Sequence, residues 1–124
     1  MPTRPRVLLA DDHPGMVKAL ERVLALECDV VGVVADGSEV AAAAMRLQPV
    51  VIVVDLNLPT VSGLDVCQCI LQTNPRAKVI VISGMADETI RADALAAGAS
   101  DFVAKQAAGK ELIAAVTRAW RDVV

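Results

Sequence analysis

Val50-Val51-Ile52-Val53-Val54-Asp55-Leu56-Asn57-Leu58-Pro59 is the stretch on which the fold of this chain turns. It begins with five consecutive β-branched aliphatic residues and no polar residue among them. Such a run has no face meant for water, so it predicts a central strand of a parallel sheet covered by helices on both sides. The run ends on an acid, Asp55, and Pro59 then forbids further ladder pairing. Open α/β sheets place their chemistry at the carboxyl ends of strands. Taken alone, Asp55 reads equally well as a solvated acid that ends a strand, so the other strand ends must decide.

Downstream of Pro59 the polar loop Thr60-Val61-Ser62-Gly63 leads into a helix with Leu64, Cys67, Ile70 and Leu71 facing inward, stopping at Asn74-Pro75. Residues 78–82 read as a strand ending on Ser83-Gly84, and a helix spans roughly Asp87 to Ala97 with Gly98 as its stop. A short strand from Ser100 to Ala104 ends on Lys105, and a last helix runs from about Gly109 to the end of the chain. Its inward residues are Leu112, Val116, Ala119 and Trp120, with Val123 at the edge. Upstream, residues 6–10 form a short buried strand ending on Asp11-Asp12, and Pro14 suits the first turn of a helix. Met16, Ala19, Leu20, Val23 and Leu24 carry that helix to about Leu26. Asp29 to Ala35 gives another strand, after which Ser38 is the expected N-cap of a helix with the stripe Val40, Ala43, Ala44 and Leu47. Five strand–helix units in strict alternation predict one α/β domain over residues 1–124: an open doubly wound parallel sheet with right-handed crossovers.

Composition narrows the function. The chain of 124 residues is long enough for a core without staples. With one Phe, one Trp and no Tyr it lacks stacking platforms for single-stranded nucleic acid. Its net charge of -3 and lack of a basic stripe argue against direct nucleic-acid binding by this domain. No apolar run reaches membrane-spanning length, and the basic start from Met1 to Arg6 meets Asp11 too soon to form a signal-peptide core. Cys28, Cys67 and Cys69 form no C-x-x-C pair and read as small buried residues of a reducing cytosol.

The polar residues able to do chemistry all fall at strand ends: Asp11 and Asp12, Asp55, Ser83 and Lys105. In the flavodoxin-like strand order 2-1-3-4-5 the first and third strands are neighbours at the switch point, which gathers three carboxylates around one crevice. Two unit charges about 5 Å apart repel by ~3 kcal/mol at an effective dielectric of ~20, so a cation must compensate. Lys105 supplies one charge, and an all-oxygen, partly open donor set suits Mg²⁺ for the rest. The alternative is a surface ion-pair network around Lys105. With a cation and a lysine beside it, an aspartate can be a metal ligand, a general base or a nucleophile toward phosphorus. Ser83 stands where it can hydrogen-bond a phosphoryl oxygen.

Asp11-Asp12, Asp55, Ser83 and Lys105, with Pro59 and Gly63 after the central acid, resemble a response-regulator receiver domain of two-component signalling over essentially the whole chain. The opening Val7-Leu8-Leu9-Ala10-Asp11-Asp12-His13-Pro14 is similar to the NarL/FixJ-type subfamily. The resemblance implies Asp55 as phosphoacceptor and Asp11, Asp12, Asp55 and the backbone carbonyl of Asn57 as ligands of Mg²⁺ or Mn²⁺. It implies that Ser83 and Lys105 contact the phosphoryl group, with Ser83 and Phe102 as the switch pair, Phe102 turning inward on activation. It further implies a cytoplasmic protein that takes its phosphoryl group from a partner histidine kinase and assists its own phosphorylation and dephosphorylation without turning over a separate substrate. A transcriptional output, a following C-terminal helix-turn-helix DNA-binding domain and a phosphorylation-dependent dimer are what the subfamily adds. The sequence departs from the pattern at Gln106, where many receivers have the proline of a cis peptide, at Phe102 in place of Tyr, and at the apolar Met85. His13 reads as a helix-start residue, with a metal ligand or a phosphohistidine as the other roles open to a histidine beside two acids.

The competing readings are a small Mg²⁺-dependent phosphatase with an aspartyl nucleophile and a flavin-binding module. Asp55-Leu56-Asn57 lacks the second acid two residues on that haloacid-dehalogenase-type phosphatases use, and there is no segment to cap a small substrate. Asp11-Asp12 would repel a flavin phosphate.

Overall fold

The computed structural model describes residues 4–123. Its strands are β1 (Arg6–Ala10), β2 (Asp29–Val34), β3 (Val51–Asp55), β4 (Lys78–Ser83) and β5 (Asp101–Ala104). Between and after them lie α1 (Pro14–Ala25), α2 (Val40–Leu47), α3 (Gly63–Thr73), α4 (Glu88–Ala96) and α5 (Ala108–Arg121). All pairings are parallel and the strand order is β2-β1-β3-β4-β5, the doubly wound arrangement expected.

Strand side chains alternate between two cores because the strand period is 2. Val7, Leu9, Val51, Val53, Ile80, Ile82 and Val103 pack with Leu20 and Leu24 of α1 and with Leu112 and Val116 of α5. Leu8, Ala10, Ile52, Val54, Val79, Val81 and Phe102 pack on the other face with Val40, Val66, Cys67, Ile70 and Ala94 from α2, α3 and α4. Every residue of β3 is buried, as the uninterrupted run of β-branched residues requires.

Several local expectations are corrected. Ser38 is not the cap before α2: Asp36 is the capping residue of a short 3₁₀ turn, and its carboxylate accepts from both the N–H and the hydroxyl of Ser38. Carboxylates accept from free N–H groups at turns as readily as hydroxyls do, and here the acid comes two residues earlier. Ala19 is exposed, and on α5 Trp120 is only half-buried while Val123 lies outside the helix and is exposed. The helix ends at Arg121, and Asp122 closes it; Val124 falls outside the described residues. Cys28 and Cys67 are buried, but Cys69 is exposed, since two residues along a helix turn a side chain to a different face. Among the described residues no peptide bond is cis, so Lys105–Gln106 is trans, and no helix is long and apolar enough to cross a membrane.

Candidate phosphoacceptor and cation site

Sheet register assembles the site. Ala10 pairs with Val54, which sets Asp11 beside Asp55, and Asp55 in turn pairs with Ile82, one residue before Ser83. Ser83 pairs with Ala104, so Lys105 leaves its strand at the same edge. Asp11 and Asp55 are each 1% exposed and Ser83 is fully buried, although each is polar. Buried charges need partners.

Lys105 provides the first. Its Nζ donates to Asp55 Oδ2 at 3.0 Å and lies 3.1 Å from Asp11 Oδ2. Burial pulls the Lys105 ammonium toward losing its proton. The hydrogen bond to Asp55 and the charges of Asp55 and Asp11 outweigh that pull and hold its pKa above the ordinary lysine value. Asp55 Oδ1 accepts from the backbone N–H of Asn57 at 3.2 Å, which clamps the acid to the loop that follows it. Asp11 Oδ1 accepts from the His13 N–H at 2.9 Å. Asp11 Oδ2 has the Lys105 charge close by but no hydrogen bond of proper direction, and is a buried oxygen left without a directed partner.

One atom each of Asp11, Asp12, His13 and Asp55 lies within 4.8 Å of the others, the spacing of groups around a single ion. One ammonium cannot neutralise three carboxylates, and the undirected Asp11 oxygen is the kind of acceptor a cation satisfies. The residues therefore fit a hard divalent cation, with Asp11, Asp12 and Asp55 offering oxygens and Asn57 adjacent.

Ser83 is at the expected strand end, but its hydroxyl oxygen accepts from the Met85 N–H at 3.0 Å and is engaged with the loop that follows β4. Phe102 sits on β5, on the face covered by α4. It is already turned inward, 5% exposed, in the core formed with Ala94 and Ala99. A strand residue facing the α4 layer finds an apolar pocket there, and burial of an aromatic ring favours that side. His13 stands at the start of α1, as expected, yet its imidazole also turns into the acidic cluster, with Nδ1 3.1 Å from Asp12 Oδ1. Asp36 and Thr60 carry no sequence signal of a role here, yet Asp36 Oδ2 accepts from the Thr60 hydroxyl at 2.8 Å and so braces the loop after Asp55. Nothing local in the sequence announces a bond between residues that far apart.

Residues 7–117 match the family described as the response regulator receiver domain. The chain is 34% identical over 113 residues to the DNA-binding response regulator MtrA of Mycolicibacterium smegmatis, covering 91% of this chain and 49% of that protein. It is 32% identical over 101 residues to the chemotaxis protein CheY of Thermotoga maritima, covering 81% of this chain and 84% of that protein. In structure it superposes on a LuxR-family two-component response regulator from Aurantimonas sp. SI85-9A1 with a TM-score of 0.91 at 26% identity, covering 96% of this chain and 86% of that one. The chain spans about half the length of the first curated relatives it matches.

Proposed function

We propose, for a chain that belongs to the response regulator receiver domain family, that Asp55 accepts a phosphoryl group from the phosphohistidine of a partner kinase and so switches a transcriptional output. The observation that carries this is a buried carboxylate at the end of the central strand, beside two further acids and 3.0 Å from the Lys105 ammonium.

A carboxylate oxygen of Asp55 attacks phosphorus in line; the new P–O bond forms as the P–N bond to the donor imidazole breaks, and the imidazole leaves with a proton. Lys105 moves its interaction from the Asp55 carboxylate to a phosphoryl oxygen, and the Ser83 hydroxyl donates to another. Asp11, Asp12, Asp55 and the Asn57 carbonyl are the groups that would hold Mg²⁺ or Mn²⁺. When bound, that ion neutralises charge on the transferring group. In hydrolysis, water attacks the same phosphorus, the P–O bond to Asp55 breaks, and the carboxylate and free phosphate are regenerated. The chemistry is confined to the protein's own aspartate, so phosphate esters offered as substrates should show no steady-state turnover.

Relatives described as DNA-binding response regulators extend to about twice the matched length. A DNA-binding partner domain, reading the face of α4, β5 and α5, is the output we assign to this chain, with dimerisation on phosphorylation as its companion and the cytoplasm as its place. With acetyl phosphate and Mg²⁺ the protein should gain one phosphoryl group labile to hydroxylamine, as mass spectrometry reads it. Asp55→Asn should gain none. Stoichiometric labelling of the variant would refute Asp55 as acceptor.

A further inference from the structure

His13 is the chain's one histidine. A residue that only starts a helix has no need of the acids, and His13 makes no side-chain capping bond on α1. Instead Nδ1 lies 3.2 Å from Asp11 Oδ1, 3.1 Å from Asp12 Oδ1 and 3.7 Å from Asp55 Oδ2, although the ring is 62% exposed and has open water to turn to. The Asp11 oxygen without a directed hydrogen bond belongs to the same cluster and is fully buried. Three oxygen donors and one nitrogen thus converge on a volume the size of one ion.

We propose that His13 Nδ1 is a ligand of the cation at this site, and that the site therefore favours borderline divalent ions such as Co²⁺ and Ni²⁺ over Mg²⁺ more strongly than three carboxylates alone would. The proposal rests on the cation-site reading above and adds to it the choice of ion. Mg²⁺ is hard, prefers oxygen and gains little from an imidazole, whereas the later first-row ions bind imidazole well. Ligation uses the Nδ1 lone pair, so the bound ring is neutral with its proton on Nε2; a ring that was doubly protonated releases one proton to solvent. The opposite role is also definable: a charged imidazolium serving as counter-ion for the acids, which any divalent ion must displace.

The test uses untagged protein carrying ¹⁵N only in its histidine ring, titrated with Mn²⁺ as a paramagnetic probe and read by electron–nuclear double resonance. A directly bound ¹⁵N coupling is expected in the wild type, and because there is one histidine it can come only from His13. By calorimetry, His13→Ala should weaken Co²⁺ binding about tenfold or more, the loss that even an outer-shell partner of a ligand causes, and leave Mg²⁺ binding little changed. His13→Asn, which suits the helix start, should behave the same way and guards against a folding defect. Bound Mn²⁺ without ¹⁵N coupling overturns the proposal. So does a His13→Ala protein that binds every ion more tightly, the signature of a displaced counter-ion. Asp12→Ala separates the two levels: if it leaves Co²⁺ and Mn²⁺ binding intact, the cation site itself is misplaced, whereas lost binding together with absent coupling removes His13 alone.

Discussion

Asp12 is the acid of the cluster that stays partly in water, its side chain 35% exposed while those of Asp11 and Asp55 are buried. Each like-charge contact at the cluster's spacing is worth ~3 kcal/mol at an effective dielectric of ~20. Exposure screens the share that belongs to Asp12 down to about 1 kcal/mol. Asp12→Ala should therefore stabilise the metal-free protein by that amount in urea unfolding. It should also lose most of the rise in melting temperature that Mg²⁺ gives the wild type by mass action. A full Mg²⁺ response in the variant would place the ion elsewhere. Cys67 carries a second prediction. Burial pushes its thiol pKa from 9.0 up to about 11. Between those values the folded state holds a proton that the unfolded state has lost, so stability falls as pH rises through that window. The loss is on the order of 2 kcal/mol per thiol, and Cys28, also pushed to about 11, adds to it. Stability measured at pH 8 and again near pH 11 should fall less in Cys67→Ala than in the wild type; equal falls would mean the thiol is not shielded in solution.

The element that holds Asp55 in place is the turn between β3 and α3. Gly63 donates its N–H to the Leu56 carbonyl at 2.9 Å, and a side chain on it would put Cβ 2.5 Å from the Asp55 carbonyl oxygen and 2.7 Å from Leu56 Cα. Those are backbone atoms and cannot swing aside. Gly63→Ala should cost about 3 kcal/mol or more in urea unfolding. It should also slow labelling of Asp55, because relief of the clash displaces the strand end. A variant as stable as the wild type would show that the turn gives way freely. Thr60 in the same turn has φ 71°, a left-handed conformation that a β-branched residue adopts at a cost of ~1–2 kcal/mol. The 3₁₀ turn before α2 compensates: Asp36 bonds the Thr60 hydroxyl, Gly37 N–H donates to the Pro59 carbonyl at 3.1 Å, and a Cβ on Gly37 would strike the Val61 carbonyl. Hydrogen bonds from the Ser38 side chain, the Ser38 backbone and Thr60 all favour the ionised Asp36 carboxylate and lower its pKa. Two loops far apart in sequence thus brace one another beside the strand end that carries Asp55.

Across the whole molecule, Phe102 is one end of a proposed route from Asp55 to the α4 face, and its ring already lies in the core. Ser83 offers its start. Its oxygen accepts from the Met85 N–H, and a hydroxyl can keep that bond while donating its proton to a phosphoryl oxygen. Phosphorylation would then pull the exposed loop before α4 toward Asp55 through one side chain. With beryllofluoride as the phosphoryl mimic, Ser83→Ala should show smaller amide NMR shifts than wild type over residues 85–105. Equal shifts would mean the coupling bypasses Ser83.

The five strands, their order and the edge that gathers Asp11, Asp55, Ser83 and Lys105 were legible in the sequence. Runs such as residues 50–54 and 79–82 lack a polar face and admit only a strand buried on both sides, and strict strand–helix alternation fixes which ends meet. Such patterns say which side of an element a residue lies on, and nothing about where a side chain at an element's end turns. The inward Phe102, the imidazole of His13 among three carboxylates, the half-buried Trp120 and the Asp36–Thr60 bond were all settled by neighbours from elsewhere in the chain. Packing and charge act through space, and those partners meet only once the sheet has brought its strand ends together.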